Sequence, residues 1–328
     1  MKVLQKILLS AMLLPATWMV SQTHAQAQPW PSKPVTIIVP TSSSTGADII
    51  GRIVSRRFAV MWKQPVIVDN RTGASGTIGV GAAAKAAPDG YTILFAPNTV
   101  TMIGSIYKNM TWDVEQSFEP ISLLARTVSA VVVNAELPAK SVADLIALAK
   151  AKPGQLNFAS PGVGTPQHLY GELFKQIMAV DMLHVPYKTT ASAVTDLAGG
   201  RAQVGFFSLS AVMPLVKAGK LRVLATVGEQ RAAATPDAPT FKESGLDRVQ
   251  AGSWIAAFMP RGTPREIVEH VTRDLNSLLA QPDFQQELLR ADLLPNTSGG
   301  GQKELAAIVR ADVVRWKKVI ADGNITAE

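Results

Sequence analysis

The chain alternates short apolar runs with stretches of helical periodicity along most of its length. Residues 35–39 (VTIIV) form a run of strand length, and after a Ser-rich loop Ile49, Ile50, Ile53, Val54 and Phe58 recur on one helix face. Short strands follow at 66–68 and 91–96, with the Gly/Ala-rich residues 73–87 between them as loop and helix. A strand at 128–133 leads to a helix over 141–151, opened by Ser141 and stopped by Pro153-Gly154. The unit then repeats: a strand at 156–159, a Gly-rich loop at 160–166, and a helix buried along Leu169, Leu173, Phe174 and Ile177. Strands at 184–187, 204–207 and 221–227, with a helix through Val194 and Leu197, complete a second set, and residues 228–239 read as a crossover. Helices over 263–281, 283–290 and 303–321 close the chain and are expected to return to the first lobe.

This order predicts an α/β fold of two lobes, each a mainly parallel sheet flanked by helices, with a ligand cleft between them. Residues 26–126 and 247–328 are assigned to lobe 1 and residues 127–246 to lobe 2. A length of 328 residues suits two domains at roughly 150 residues each. Ligands of such sheets sit beyond the carboxyl ends of strands, which directs attention to the loops after Val39 and Ala159.

The first 25 residues stand apart from the fold. Lys2 and Lys6 precede an apolar stretch from Ile7 to Val20, and Thr23-His24-Ala25 or Ala25-Gln26-Ala27 offers small residues for cleavage, the three-part pattern of a secretory signal peptide. Its apolar part, about 14 residues, is shorter than the ~20 needed to span a bilayer. Cleavage near Ala25 or Ala27 and export to a bacterial periplasm or the outside are the expectation. Removing Lys2 and Lys6 leaves 30 basic against 25 acidic groups, a net charge of +5. These charges are scattered, with Arg56-Arg57 and Lys317-Lys318 the densest pairs, so no basic run suited to nucleic acid exists. The absence of Cys removes thiol nucleophiles, thiolate metal sites and disulfides.

Two loops carry candidate chemistry. The first, PTSSSTGAD at 40–48, places Thr41, Ser42, Ser43, Ser44 and Thr45 consecutively before a helix, with Gly46 and Asp48 in its first turn. Hydroxyls and free backbone N–H groups at a helix N-terminus favour a carboxylate or phosphate, although a single Ser or Asp48 there also serves as an ordinary cap. The second, SPGVGTPQH at 160–168, offers Ser160 and Thr165 hydroxyls, with Gly162 and Gly164 allowing close backbone approach around Val163. His168 would either orient a ligand or act as a satisfied structural histidine. The segment GASGTIGVG at 73–81 lacks the Lys of a P-loop and the acidic partner of a dinucleotide fingerprint, and reads as a Gly-rich loop bordering the cleft. There is no HExxH, no metal-ligand spacing among the histidines and no GxSxG, so no catalytic residue, metal or cofactor is assigned.

In these residues the chain resembles the Bug (TctC-like) receptors of tripartite tricarboxylate transporters. The matching stretches are WPSKPVTIIVP (30–40), VDNRTGASG (68–76), AAPDGYT (86–92), HVPYK (184–188) and KAGKLRVLA (217–225), with residues 236–246 and 254–264 also fitting. The resemblance implies a two-lobed periplasmic-binding-protein fold of type II-like form, whose two loops act as pincers on a ligand carboxylate. It also implies transport without catalysis and membrane transporter subunits as partners. Two departures stand out. Ser42, Ser43 and Ser44 fill a loop that is commonly Gly-rich in the family, and Phe206-Phe207-Ser208 stands where relatives carry a Phe-Asp-Asn-like stretch. The second departure removes a partner for a ligand amine and suggests an acid without an amino group, its body packing on Phe206 or Phe207. A subunit sensing ligands for a membrane kinase, and an exported enzyme on the same fold, are the alternatives.

Overall fold

The computed structural model describes residues 30–43, 45–107, 110–228, 230–246, 249, 252–298 and 301–326. The proposed signal peptide lies outside the described residues. The chain opens with β1 (Val35–Val39), α1 (Gly46–Trp62), β2 (Val66–Asn70), a 3-10 turn at Ala74–Gly76, α2 (Thr77–Ala84), β3 (Thr92–Pro97), α3 (Val100–Ile106) and β4 (Phe118–Thr127). It continues through β5 (Ser129–Asn134), α4 (Val142–Ala151), β6 (Asn157–Ser160), α5 (Pro166–Met178), β7 (Leu183–Pro186), α6 (Thr190–Ala198), β8 (Val204–Ser208), α7 (Leu209–Lys217) and β9 (Leu221–Thr226). The last elements are β10 (Ser253–Pro260), α8 (Arg265–Leu279), α9 (Pro282–Arg290), β11 (Leu293–Pro295) and α10 (Gln302–Asp322).

Local chemistry accounts for several boundaries. Ser141 and Asp144 form a reciprocal capping box at the start of α4. Thr165 caps α5 with Pro166 in its first turn, where a missing N–H costs nothing. In α1, the buried residues Ile50, Ile53, Val54 and Phe58 fall on one face, and the helix stops where Lys63 turns left-handed at φ 52°.

Among the described residues two sheets result, ordered β11-β4-β10-β3-β1-β2 and β7-β6-β8-β5-β9. Both are mixed rather than mainly parallel. Strands β2, β1 and β3 are parallel, but β10 runs antiparallel between β3 and β4. The reason is the route of the chain. Strands β3 and β4 end beside the crossing point, where Pro97 pairs with Ile255 and Thr127 with Ser253, so a strand returning from the second lobe must start there and run the other way. In the second sheet β5 is antiparallel to both β8 and β9, and β7, β6 and β8 are parallel.

The final helix is shared between lobes, contrary to the expectation that it returns to the first. Leu305 and Val309 of α10 pack on the first sheet with Leu94 and Phe258. Trp316, Val319 and Ile320 instead join the core of the second, with Phe174 and Phe206. Helix α3 behaves alike, because Met102 and Ile106 belong to that second core. The apolar periodicity of Leu305, Val309, Trp316 and Ile320 gives α10 a buried face, but periodicity does not say which of two sheets a face meets.

Candidate functional site

The loop between β1 and α1 is held by a chain of polar contacts. Thr45 donates from Oγ1 to the Ser42 carbonyl at 2.9 Å and accepts from the Thr41 hydroxyl at 2.7 Å. With its hydroxyl used in this way, Thr45 makes no side-chain cap, and the first intrahelical bond runs from Ile49 N to Thr45 O. The mouth of α1 therefore presents backbone N–H groups and the positive end of the helix dipole without a side-chain cap. Ser42 and Ser43 are exposed, Thr45 and Gly46 half-buried, and Ser44 lies outside the described residues. Asp48 is only 2% exposed, and Arg52 Nε lies 3.0 Å from both its carboxylate oxygens. Arg52 also donates to Asn70 Oδ1 at 3.1 Å, and Asn70 Nδ2 donates to Thr41 O at 3.1 Å. Asp48 is thus a buried, neutralised anchor rather than a group aimed at a ligand.

The loop between β6 and α5 is organised around Ser160 and two imidazoles. Ser160 Oγ donates to Gly162 O at 3.0 Å and accepts from Gly162 N at 3.1 Å, and His184 Nε2 stands 2.6 Å away. With the proton of His184 assigned to Nε2, that hydroxyl uses its one hydrogen and both lone pairs. Thr165 Oγ1 donates to Gly162 O at 2.7 Å. Gly164 N donates to His168 Nδ1 at 3.1 Å, and the two histidine rings stack at 3.7 Å. Burial, followed by the neighbouring His184 and Lys175, lowers the His168 pKa to about 3, and burial and Lys175 lower that of His184 to about 4, so both rings are neutral at neutral pH. His168, 5% exposed, and Ser160, fully buried, therefore lie beneath the loop. His168 is hydrogen-bonded within its own loop, to the Gly164 amide. Val163 forms the exposed tip at 47%.

A third loop connects the two. Gly73, Ala74, Ser75 and Gly76 all have positive φ, an unusual run that stores strain at the two non-Gly positions. A Cβ on Gly76 would stand 3.1 Å from Pro40 O, and Ser75 Oγ is 3.1 Å from the Tyr107 hydroxyl at the end of α3. The residue before it, Ile106, lies against the second loop, where a Cβ on Gly164 would stand 3.1 Å from Ile106 Cδ1. Continuous contact thus runs from Pro40 in one lobe to Gly164 in the other.

Phe206 and Phe207 are not part of this site. Each is 1% exposed, Phe206 in the core with Phe158 and Phe174 and Phe207 on the opposite face with Val194 and Leu197. Alternation along β8 sends successive side chains to opposite faces, both covered by helices, so neither ring is offered to a ligand. Arg52, Asn70, Ile106, Tyr107 and His184 were not among the expected site residues. Only Arg52 had a legible signal, its spacing of four from Asp48 on a helix. A hollow of about 600 Å³ lies elsewhere, between α3 and α10, with Trp112 and Lys317 in its wall. Among the described residues no cluster suits a metal ion, and no helix is long and apolar enough to cross a membrane.

Known proteins resemble the chain over nearly its whole length. It is 34% identical over 309 residues to the UPF0065 protein from the tcbD-tcbE intergenic region of Pseudomonas sp. (strain P51), covering 94% of this chain and 91% of that one. It is 30% identical over 298 residues to the protein BugT of Bordetella pertussis, covering 90% and 91% respectively. Among solved structures, an R. palustris protein with adipate aligns at TM-score 0.76 and 32% identity, covering 91% of this chain and all of that one. MatC of Rhodopseudomonas palustris with bound malate aligns at TM-score 0.73 and 26% identity, covering 89% and 100%. Residues 50–325 match the tripartite tricarboxylate transporter family receptor, and with the two-lobed fold this places the chain in that receptor family.

Proposed function

We propose that the protein is a periplasmic solute-binding receptor that closes on a small carboxylate between the loops at 41–48 and 160–165 and delivers it to a membrane transporter. The observation that carries this reading is the pairing of two strand-to-helix loops, one from each lobe, bridged by the contacts of Ser75 with Tyr107 and of Gly164 with Ile106. An uncapped helix mouth favours an anion, and relatives solved with adipate and malate support a carboxylate. Lobe 1 is taken as residues 26–126 and 247–328 and lobe 2 as residues 127–246, with Trp316, Val319 and Ile320 of α10 packed on lobe 2, the solute stabilising the closed state by contacts made only there. With Phe206 and Phe207 in the core, exposed Val163 is the apolar side chain of the two loops that meets the body of the solute. Asp48, the one acidic residue in the sequence of the two loops, is held by Arg52, which favours an acid without an amino group.

A thermal-shift screen of the chain from residue 26 onward, against mono-, di- and tricarboxylates, their amides and amino acids, tests this. A ligand at 100 times its Kd adds ~2.7 kcal/mol, a rise of roughly 5 to 10 °C for lobes of this size. A selective rise with amine-free acids is expected. No rise with any acid on a ligand-free sample overturns the reading, and a preference for aspartate or glutamate overturns the amine-free part.

A further inference from the structure

The buried polar cluster under the second loop has a property that the proposed function does not use. His168 Nδ1 receives the Gly164 N–H at 3.1 Å and must therefore be unprotonated, leaving the ring proton on Nε2, which faces Glu172 Oε1 at 3.8 Å. Gly164 is buried with φ 75°, so its amide has its partner only if the ring is neutral and correctly placed. Ring placement is fixed from the other side by His184, stacked at 3.7 Å and 12° and tied through Nε2 to Ser160. Phe158 closes the stack at 4.9 Å from His184.

We propose that His168 is a positioning residue, whose unprotonated Nδ1 holds the Gly164 amide and fixes the 161–165 loop in the shape that receives the solute, with His184 as the clamp that keeps the ring in place. The link to solute affinity rests on the carboxylate reading above, whereas the hold on the loop does not. Protonating Nδ1 would set a donor against a donor and a positive ring 3.7 Å from another imidazole. The charged groups facing the pair are Glu172 and Lys175 of α5, joined to each other at 3.0 Å. Strands β6 and β7 bring no other charge, and α10 meets α5 through Trp316 and Val319. The low pKa of both rings agrees with this arrangement.

The test separates ring shape from acceptor. His168→Phe keeps a stacking ring but removes Nδ1, whereas His168→Asn places an amide oxygen near Nδ1 and keeps the acceptor. Hydrogen–deuterium exchange of the peptide covering 160–168 is measured without ligand, and adipate affinity is measured by calorimetry at pH 7. For His168→Phe, about tenfold faster exchange and about tenfold weaker adipate binding are expected, with His168→Asn close to wild type in both. His184→Phe serves as a second route should His168→Phe not fold, with the same direction expected. Wild-type exchange in the Phe variants overturns the proposal, as does fast exchange with unchanged adipate affinity. If exchange changes as expected but the wild type takes no carboxylate, the hold on the loop stands and the solute class falls.

Discussion

Asn98 Nδ2 donates to the Tyr170 hydroxyl at 3.1 Å, a buried hydrogen bond from the end of β3 in one lobe to α5 in the other. Asn98 also accepts from Ser253 Oγ at 3.0 Å, and its backbone N donates to Trp254 O, so it gathers three segments where the chain passes between lobes. Burial holds the Tyr170 phenol well above its usual pKa, and it stays neutral. Removing that hydroxyl leaves an Asn98 donor without its partner in a dry setting. Tyr170→Phe is expected to lower stability by about 1–2 kcal/mol, read from urea midpoints, with the transition remaining cooperative.

Gly164 is constrained twice, by φ 75° and by Ile106 only 3.1 Å from where a Cβ would stand. Gly164→Val is expected to weaken carboxylate binding by more than about tenfold and to cost about 1–3 kcal/mol of stability, by strain and overpacking, without unfolding the chain. Calorimetry and circular dichroism read the two effects. Wild-type affinity in this variant would remove the second loop from the site.

At the first loop, Arg52 neutralises Asp48 and, through Asn70, holds the carbonyl of Thr41. Arg52→Gln would remove the positive charge that faces Asp48 in the first turn of α1, beside the proposed position of the carboxylate. Weaker binding of a carboxylate by roughly two- to fivefold is expected, in line with about 0.3–1 kcal/mol for a charge at a helix end. An affinity that does not change, with the protein folded, would place the ligand away from α1.

Stability should depend on pH through the histidine pair. Both rings have folded-state values below the ordinary 6.5, about 3 for His168 and about 4 for His184. The unfolded chain therefore binds more protons between those values and 6.5, so the stabilisation is complete above 6.5 and is lost as pH falls through that window. Each full proton of difference is worth about 1.4 kcal/mol per pH unit, and coupling within the stack keeps the pair below twice that. Urea midpoints at pH 7, 6 and 5 should fall in that order for wild type and more shallowly for the His168→Asn, His184→Gln double variant. Parallel curves would contradict the assignment.

Much of the fold was legible because it rests on local rules. The strand at Val35–Val39, the capping box at Ser141 and the Thr165-Pro166 helix start depend on residues within a few positions of one another. What was not legible depends on which way a strand enters a sheet and which lobe covers a face. Strand β4 is ten residues long and β10 is buried at every position after its first, yet neither was recognised, because strands without polar alternation give no periodic signal. The same limit explains the site. The loops could be picked out from Ser, Thr and Gly content, but the rings of Phe206 and Phe207 point into opposite cores, and the Arg52–Asn70–Thr41 chain joins residues that only the β1–β2 pairing brings together.

In the proposed function both loops grip the same solute. Hydrogen–deuterium exchange with and without saturating adipate tests it most directly, because peptides from each lobe are read in one experiment. Adipate is expected to slow exchange at 41–48 and at 160–168 together, and the uncharged diamide of adipate to slow neither. Protection confined to one lobe, or equal protection by the diamide, would contradict it.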